Sequence, residues 1–378
     1  MSATPLNAIP VIQEPVDSKI DLLGMDRSAM ETFFKEIGEK PFRAGQVMKW
    51  IHQFGVSEFE EMTNLSKALR TKLEQVAVVR TPKIVAEQVS QDGTIKWLLE
   101  VDNHNSVETV YIPEQNRGTL CISSQVGCAL DCKFCATGKQ GFNRNLENWE
   151  IIAQMWVANK ALGCLPKEER RITNVVFMGM GEPLLNVKHT FPAARILMDD
   201  FAYGLSKRRV TISTAGVVPA IDMIKAELDV SLAISLHAPN NPLRDILVPI
   251  NEKYPLEVLM PSLHKYVEGG HSKKHVTVEY VMIDHVNDRI EHAEELAVLL
   301  QGLPCKVNLI PFNPFPGTDY IRSSNNAIHR FRDVVEKAGL NVTVRKTRGD
   351  DIDAACGQLA GKVKDRTKRS MQHATANQ

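Results

Sequence analysis

The sequence predicts an α/β fold: a partial (βα)6 barrel preceded by a small N-terminal helical domain and a β-meander. Three observations predict it. Short apolar, often β-branched runs alternate with helical stretches from Leu120 onward. Before them lie three strand-like runs separated by turn residues, and before those a stretch with helical apolar periodicity.

Taken in order, residues 1–26 read as a poorly ordered leader. They carry Glu14, Asp17 and Asp21 and lack the basic and apolar regions of a signal peptide, so the expected compartment is the cytoplasm. Residues 27–80 form the helical domain. Val47, Trp50, Ile51 and Phe54 fall on one helix face, and Leu65, Leu69, Leu73 and Val76 on another. Residues 81–115 form a meander linker with runs Lys83–Val89, Thr94–Val101 and Ser106–Ile112. Asp92-Gly93 is a hairpin turn signal between the first two.

Residues 116–345 form the partial barrel. Its strands are Leu120–Ser123, Asn174–Met178, Val210–Ser213, Val230–Ser235, Val276–Met282 and Lys306–Ile310. Helices include Asn148–Leu162, Leu256–Val267, Asp288–Leu300 and Asn326–Ala338. Six units are too few for a closed eight-stranded barrel, and such folds carry their chemistry at the C-terminal ends of the strands. Residues 346–378 form a C-terminal segment with a basic tail.

Composition excludes little. The chain has 378 residues, 43% hydrophobic and 24% charged, with 45 basic and 45 acidic side chains. No apolar run is long enough to span a bilayer, so no membrane partner is expected. Three basic clusters are candidate phosphate contacts: Lys207-Arg208-Arg209, His271–His275 and Lys362–Arg369.

Of seven cysteines, four crowd into Cys121–Cys135. Cys128, Cys132 and Cys135 form C-x3-C-x-F-C just after the first barrel strand. Three thiolates on one loop suit a [4Fe–4S] cluster with one iron left open. The alternatives are a zinc site, which lacks a fourth local ligand, and inert buried cysteines.

That motif at the start of a partial βα barrel resembles the radical-SAM superfamily, whose open iron binds S-adenosylmethionine. Met180-Gly181-Glu182-Pro183 resembles its Gly-Gly-Glu-Pro motif, with Met180 in place of the first glycine. A narrower resemblance, to the RlmN family, rests on Cys121–Cys128, Gln140–Asn145, Phe177–Pro183, Ile212–Gly216, Leu232–Ala238 and Asn308–Pro314. Members are dual-specificity methyltransferases acting at adenine C2 of 23S rRNA, in the peptidyl-transferase centre, and of tRNA anticodon loops.

The resemblance implies a [4Fe–4S] cluster on Cys128, Cys132 and Cys135, and S-adenosylmethionine contacts at Gly181, Glu182, Ser213, Ser235, Leu236, His237 and Asn313. It implies that Cys356 carries the methyl group. A 5′-deoxyadenosyl radical from a second S-adenosylmethionine takes hydrogen from that S-methyl. The carbon radical adds to C2, which is electron-poor and cannot attack a methyl sulfonium itself. Glu108 accepts the C2 proton, and Cys121 resolves the adduct through a transient Cys121–Cys356 disulfide. Further expectations are an electron donor such as flavodoxin and a monomeric chain. The alternatives are a Cfr-like adenine C8 methyltransferase, a radical-SAM activating enzyme that needs no methyl-carrying cysteine, and a non-catalytic zinc-bound RNA-binding module.

Overall fold

The computed structural model describes residues 19–164, 170–269 and 274–367. Most of the leader, residues 1–18, lies outside them, as do residues 271–273 and everything from Lys368 onward. No helix among the described residues is long and apolar enough to cross a membrane.

The described chain is tied down well before Arg27. Strand β1 (Ile20–Asp21) runs parallel to β2 (Ala77–Val78), and Leu22 and Leu23 are fully buried. Between these strands lie α1 (Arg27–Glu36), α2 (Arg43–Met48) and α3 (Lys67–Val76). Asp26 and Ser66 cap α1 and α3 by accepting from Ala29 and Leu69 N–H groups. A π-helical turn, Lys49–Gln53, continues α2. Its extra residue shifts the helical phase. His52 therefore faces inward, and Phe54, expected on the buried face, is exposed.

The meander comprises β3 (Lys83–Val89), β4 (Ile95–Asp102) and β5 (Asn105–Glu114). The barrel strands are β6 (Arg117–Cys121), β9 (Asn174–Phe177), β10 (Val210–Thr214), β11 (Ser231–Ser235), β12 (Val276–Met282), β13 (Cys305–Pro311) and β14 (Asn341–Val344). A small antiparallel ribbon, β7 (Gln125–Gly127) with β8 (Phe142–Asn145), lies between β6 and β9 in sequence.

The meander is not a separate linker. One sheet runs β3-β4-β5-β6-β9-β10-β11-β12-β13-β14, antiparallel as far as β6 and parallel from there. The parallel part has a seventh strand, β14, beyond the six expected. Helices fill the crossovers: α4 (Ala136–Gln140), α5 (Asn148–Ala161), α6 (Val187–Met198), α7 (Val218–Glu227), α8 (Asn241–Leu247), α9 (Leu256–Val267), α10 (Ile290–Leu299) and α11 (Asn325–Lys337).

Helix α5 is buried along most of its length, because it has the barrel on one side and the helical domain on the other. Trp156 donates to the Ile51 carbonyl at 2.9 Å. Arg27 forks onto Asp199 at 2.6 and 2.7 Å and lies over the Phe201 ring. The helical domain is thus docked on the barrel, and the strand C-termini stay open for the site.

Candidate active site

The ribbon β7–β8 pins both ends of the cysteine loop. Cys128 N–H donates to the Gly141 carbonyl at 2.8 Å. Gly127 has φ +76°, and a Cβ there would collide with the Gly141 carbonyl. Within the loop, Cys135 N–H donates to the Cys132 carbonyl and Leu130 N–H to the Cys128 sulfur. Cys128, Cys132 and Cys135 all line one cavity. No three His, Cys, Asp or Glu side chains among the described residues converge on a single-ion site. Burial pushes the Cys132 thiol well up, and the charges of Cys128 and Cys135 push it further. Burial raises Cys135 as well. Three half-buried thiols on one loop do not ionise together without a cationic partner, which fits an iron–sulfur cluster.

The strand ends supply the rest of this cavity. Gly181, Glu182, Ser213, Ser235 and His237 line it with Glu279 and Arg345. Gly181 has φ +98°, and a Cβ there would meet the Gln125 side chain at 2.5 Å. Glu182 accepts from Leu184 N–H at 3.0 Å and Ala215 N–H at 2.8 Å, and burial pushes its carboxyl up to about 7.

His237 sits in the left-handed region at φ +59°. Its Nδ1 accepts from Val281 N–H at 3.0 Å, which leaves Nε2 as the donor of the neutral ring. Burial, with Arg244 adding, pushes it down to about 3. Leu236 is fully buried and contributes through its backbone: its carbonyl accepts from Arg244 Nε at 3.1 Å.

A second, smaller cavity is lined by Cys121, Asn313 and Cys356. Cys356 and Arg345 line both cavities. The segment carrying Cys356 is stitched across the site. Gly357 carbonyl accepts from Ala136 N–H at 2.7 Å, and Cys356 carbonyl from Asn313 Nδ2 at 3.1 Å. Asn313 therefore touches the Cys356 backbone. Burial pushes Cys121 up to about 12, with Cys356 raising it further and Arg345 opposing.

Glu108 lines neither cavity. It is buried on β5, on the strand face of Val110 and Ile112, which do line the second cavity. Its Oε1 lies 3.2 Å from Lys96 Nζ, and its Oε2 accepts from Ala360 N–H at 2.9 Å.

This arrangement matches known proteins closely. Residues 20–79 match the family model for the ribosomal RNA large subunit methyltransferase N-terminal domain, and residues 122–297 that of the radical SAM superfamily. A Pseudomonas putida dual-specificity RNA methyltransferase RlmN is 60% identical over 361 residues, 95% of each chain. The Pseudomonas fluorescens protein of the same name is 60% identical over 353 residues, 93% of this chain and 92% of that one. The chain belongs to the RlmN family. A crystal structure of a radical SAM methyltransferase from Sphaerobacter thermophilus, 41% identical, superposes with a TM-score of 0.83 over 90% of this chain and 99% of that one.

Membership of the RlmN family makes the chain a radical-SAM methyltransferase, with an iron–sulfur cluster and S-adenosylmethionine implied. Met180, the departure from the superfamily's glycine pair, has a structural explanation. It is fully buried, its sulfur accepts from Glu108 N–H at 3.4 Å, and it packs against Gly361. Here the meander and the C-terminal segment fill space beside the motif. The Cys121–Cys356 disulfide, expected as a transient, is not formed here: all seven cysteines are free thiols.

Sequence reading missed the buried charges. Arg244, fully buried, donates to the carbonyls of Ala215, Ser235 and Leu236 and to Asn251 Oδ1. Glu279 accepts from Asn308 at 3.0 Å, and its other oxygen has no partner. Arg345 is kept protonated by the charge of Cys356 against its burial, then by Glu279 and Cys121.

Proposed function

We propose that the chain methylates adenine C2 in 23S rRNA and in tRNA, with Cys356 as the methyl carrier. One observation carries this reading: Cys356 lines both the cavity of the three loop thiols and the cavity of Cys121. A carrier must meet a methyl donor on one side and a base on the other. Cys128, Cys132 and Cys135 would hold a [4Fe–4S] cluster, which would supply the one-electron cleavage of S-adenosylmethionine.

Gly181 lets the backbone approach the amino acid end of S-adenosylmethionine, and Glu182 takes its amino group. A buried carboxyl raised to about 7 gains from an ammonium partner. Ser213, Ser235 and the Nε2–H of His237 are polar groups on the same cavity wall, with Leu236 supporting them from the backbone. Asn313 holds the Cys356 segment through its carbonyl. The Cys356 thiolate accepts a methyl group, and after hydrogen abstraction its sulfur-bound carbon bonds to C2. Glu108 takes the C2 proton. For this the Ala360 N–H must release its carboxylate, since the C-terminal segment covers it here. The adduct's one surplus electron would leave for the cluster with that proton; Cys121 then attacks the Cys356 sulfur, the S–C bond breaks, the freed carbon takes a proton to become the C2 methyl, and the two cysteines are left as a disulfide.

The test is anaerobic turnover on rRNA and tRNA followed by mass spectrometry of the nucleosides. This reading predicts 2-methyladenosine, absent with Cys356→Ala. Methylation at C8 would contradict the site assignment, and product formed by Cys356→Ala would remove the carrier.

A further inference from the structure

The basic clusters read from the sequence sort by which end of the barrel they occupy. Lys207–Arg209 form a 3-10 turn leading into the N-terminal end of β10, and Lys274 and His275 immediately precede β12. Both sets lie at the end of the parallel strands opposite the cavities. Lys207 and Lys274 also share Asp229, at 3.7 and 2.5 Å. Neither is placed to hold RNA while a base enters the site.

A different basic run occupies the cavity end. Arg345-Lys346-Thr347-Arg348 leaves the C-terminal end of β14, and all four residues line the cavity of Cys121 and Cys356. The run is held as a rim. Thr347 Oγ1 donates to Asn313 Oδ1 at 3.4 Å, and Arg348 lies 3.7 Å from Asp92. Gly349 N–H donates to the same Asp92, and Asp351 accepts from Ser90 and Gln91 of the β3–β4 turn. Lys346 is exposed at the lip. Arg345 lies deeper, beside the thiols and Glu279, and extends the positive potential inward.

A nucleotide drawn out of its stack puts its base in a pocket while its flanking phosphates stay at the mouth. Phosphate contacts position the chain without reading sequence, and Lys and Arg make most of them. We propose that Lys346 and Arg348 clamp the phosphodiesters flanking the target adenosine, so that this rim is the RNA port of the enzyme. The proposal rests on the RNA-methyltransferase reading above and adds where the RNA backbone is held.

The test is fluorescence-anisotropy titration of a hairpin RNA, with an adenosine in its loop, against reconstituted anaerobic protein from 0.1 M to 1 M salt, taken as about the limit where counterion release vanishes. A single-stranded phosphate contact contributes about 0.7 to the log–log salt slope. The double variant Lys346→Ala/Arg348→Ala is expected to lower the slope by about 1.4, about 25-fold in affinity at the low end of that range relative to the high end. Lys207→Ala/Arg208→Ala/Arg209→Ala is expected to keep the wild-type slope, and the charge-retaining Lys346→Arg/Arg348→Lys to restore it. Thermal melting checks the fold, and if the double variant melts early, Lys346→Glu on the exposed side chain alone carries the test. A wild-type slope for Lys346→Ala/Arg348→Ala, or a loss confined to the Lys207–Arg209 variant, overturns the clamp. Methylation found at a position other than C2 would sink the functional reading and leave the clamp standing.

Discussion

Replacing Arg244 by Met should loosen the strand ends that form the cavity proposed to hold S-adenosylmethionine. The guanidinium is fully buried and ties the Ala215, Ser235 and Leu236 carbonyls and Asn251 Oδ1 at 2.6–3.3 Å. Methionine matches much of its volume but leaves these four acceptors without that donor. The Leu236 carbonyl keeps the Ala238 N–H, so at about 2 kcal/mol for each of the other three groups the loss is about 6 kcal/mol. Against it stands relief from burying a charge. Burial pushes Arg244 down to about 10 from 12.5, a cost of about 3 kcal/mol. The net destabilisation is therefore about 3 kcal/mol. Urea denaturation measures it, and isothermal titration with S-adenosylmethionine should show weakened binding, because Ser235 and Leu236 lose their anchor. A variant as stable as wild type that binds the cofactor normally would refute this role.

Three further predictions concern single contacts. Gly181→Ala should weaken S-adenosylmethionine binding and cost about 1–3 kcal/mol, since φ is +98° and the new Cβ meets Gln125. Calorimetry and melting together check it. Lys96→Met should cost about 3–5 kcal/mol by stranding buried Glu108, and Lys96→Met/Glu108→Leu should recover part of that in a double-mutant cycle. Buried His52, pushed down to about 3 from 6.5, keeps its full stabilising contribution above pH 6.5 and loses it as pH falls toward 3. At pH 5 the loss is about 2 kcal/mol, and His52→Gln should flatten that part of the acid-denaturation curve.

The parallel strands were legible because buried β-branched runs stand out from their surroundings, as in Val276–Met282. Strand β14 was not, because Asn341–Val344 is four residues long and half exposed at the sheet edge. The ribbon β7–β8 was hidden for a similar reason: its strands are short and separated by the cysteine loop it clamps. The three-cysteine loop stood out from its spacing alone. Cys121, Cys356 and Glu108 could not, and their roles came only with the family resemblance. Burial of a charge leaves no local signature, so Arg244 and Glu279 passed unnoticed. Arg345–Arg348 was missed because the expected domain boundary ran through it. Conversely, Lys207–Arg209 is conspicuous in sequence, yet topology puts it at the end of the barrel away from the thiols.

The central claim, that one cysteine links a methyl donor to an RNA base, is tested most directly by counting the fates of S-adenosylmethionine. Protein reconstituted without oxygen is given reductant, S-adenosylmethionine and ribosomal RNA. The account predicts S-adenosylhomocysteine and 5′-deoxyadenosine in step with methylated RNA, and no methylated RNA from Cys356→Ala. Methylated RNA accompanied by S-adenosylhomocysteine alone would contradict it.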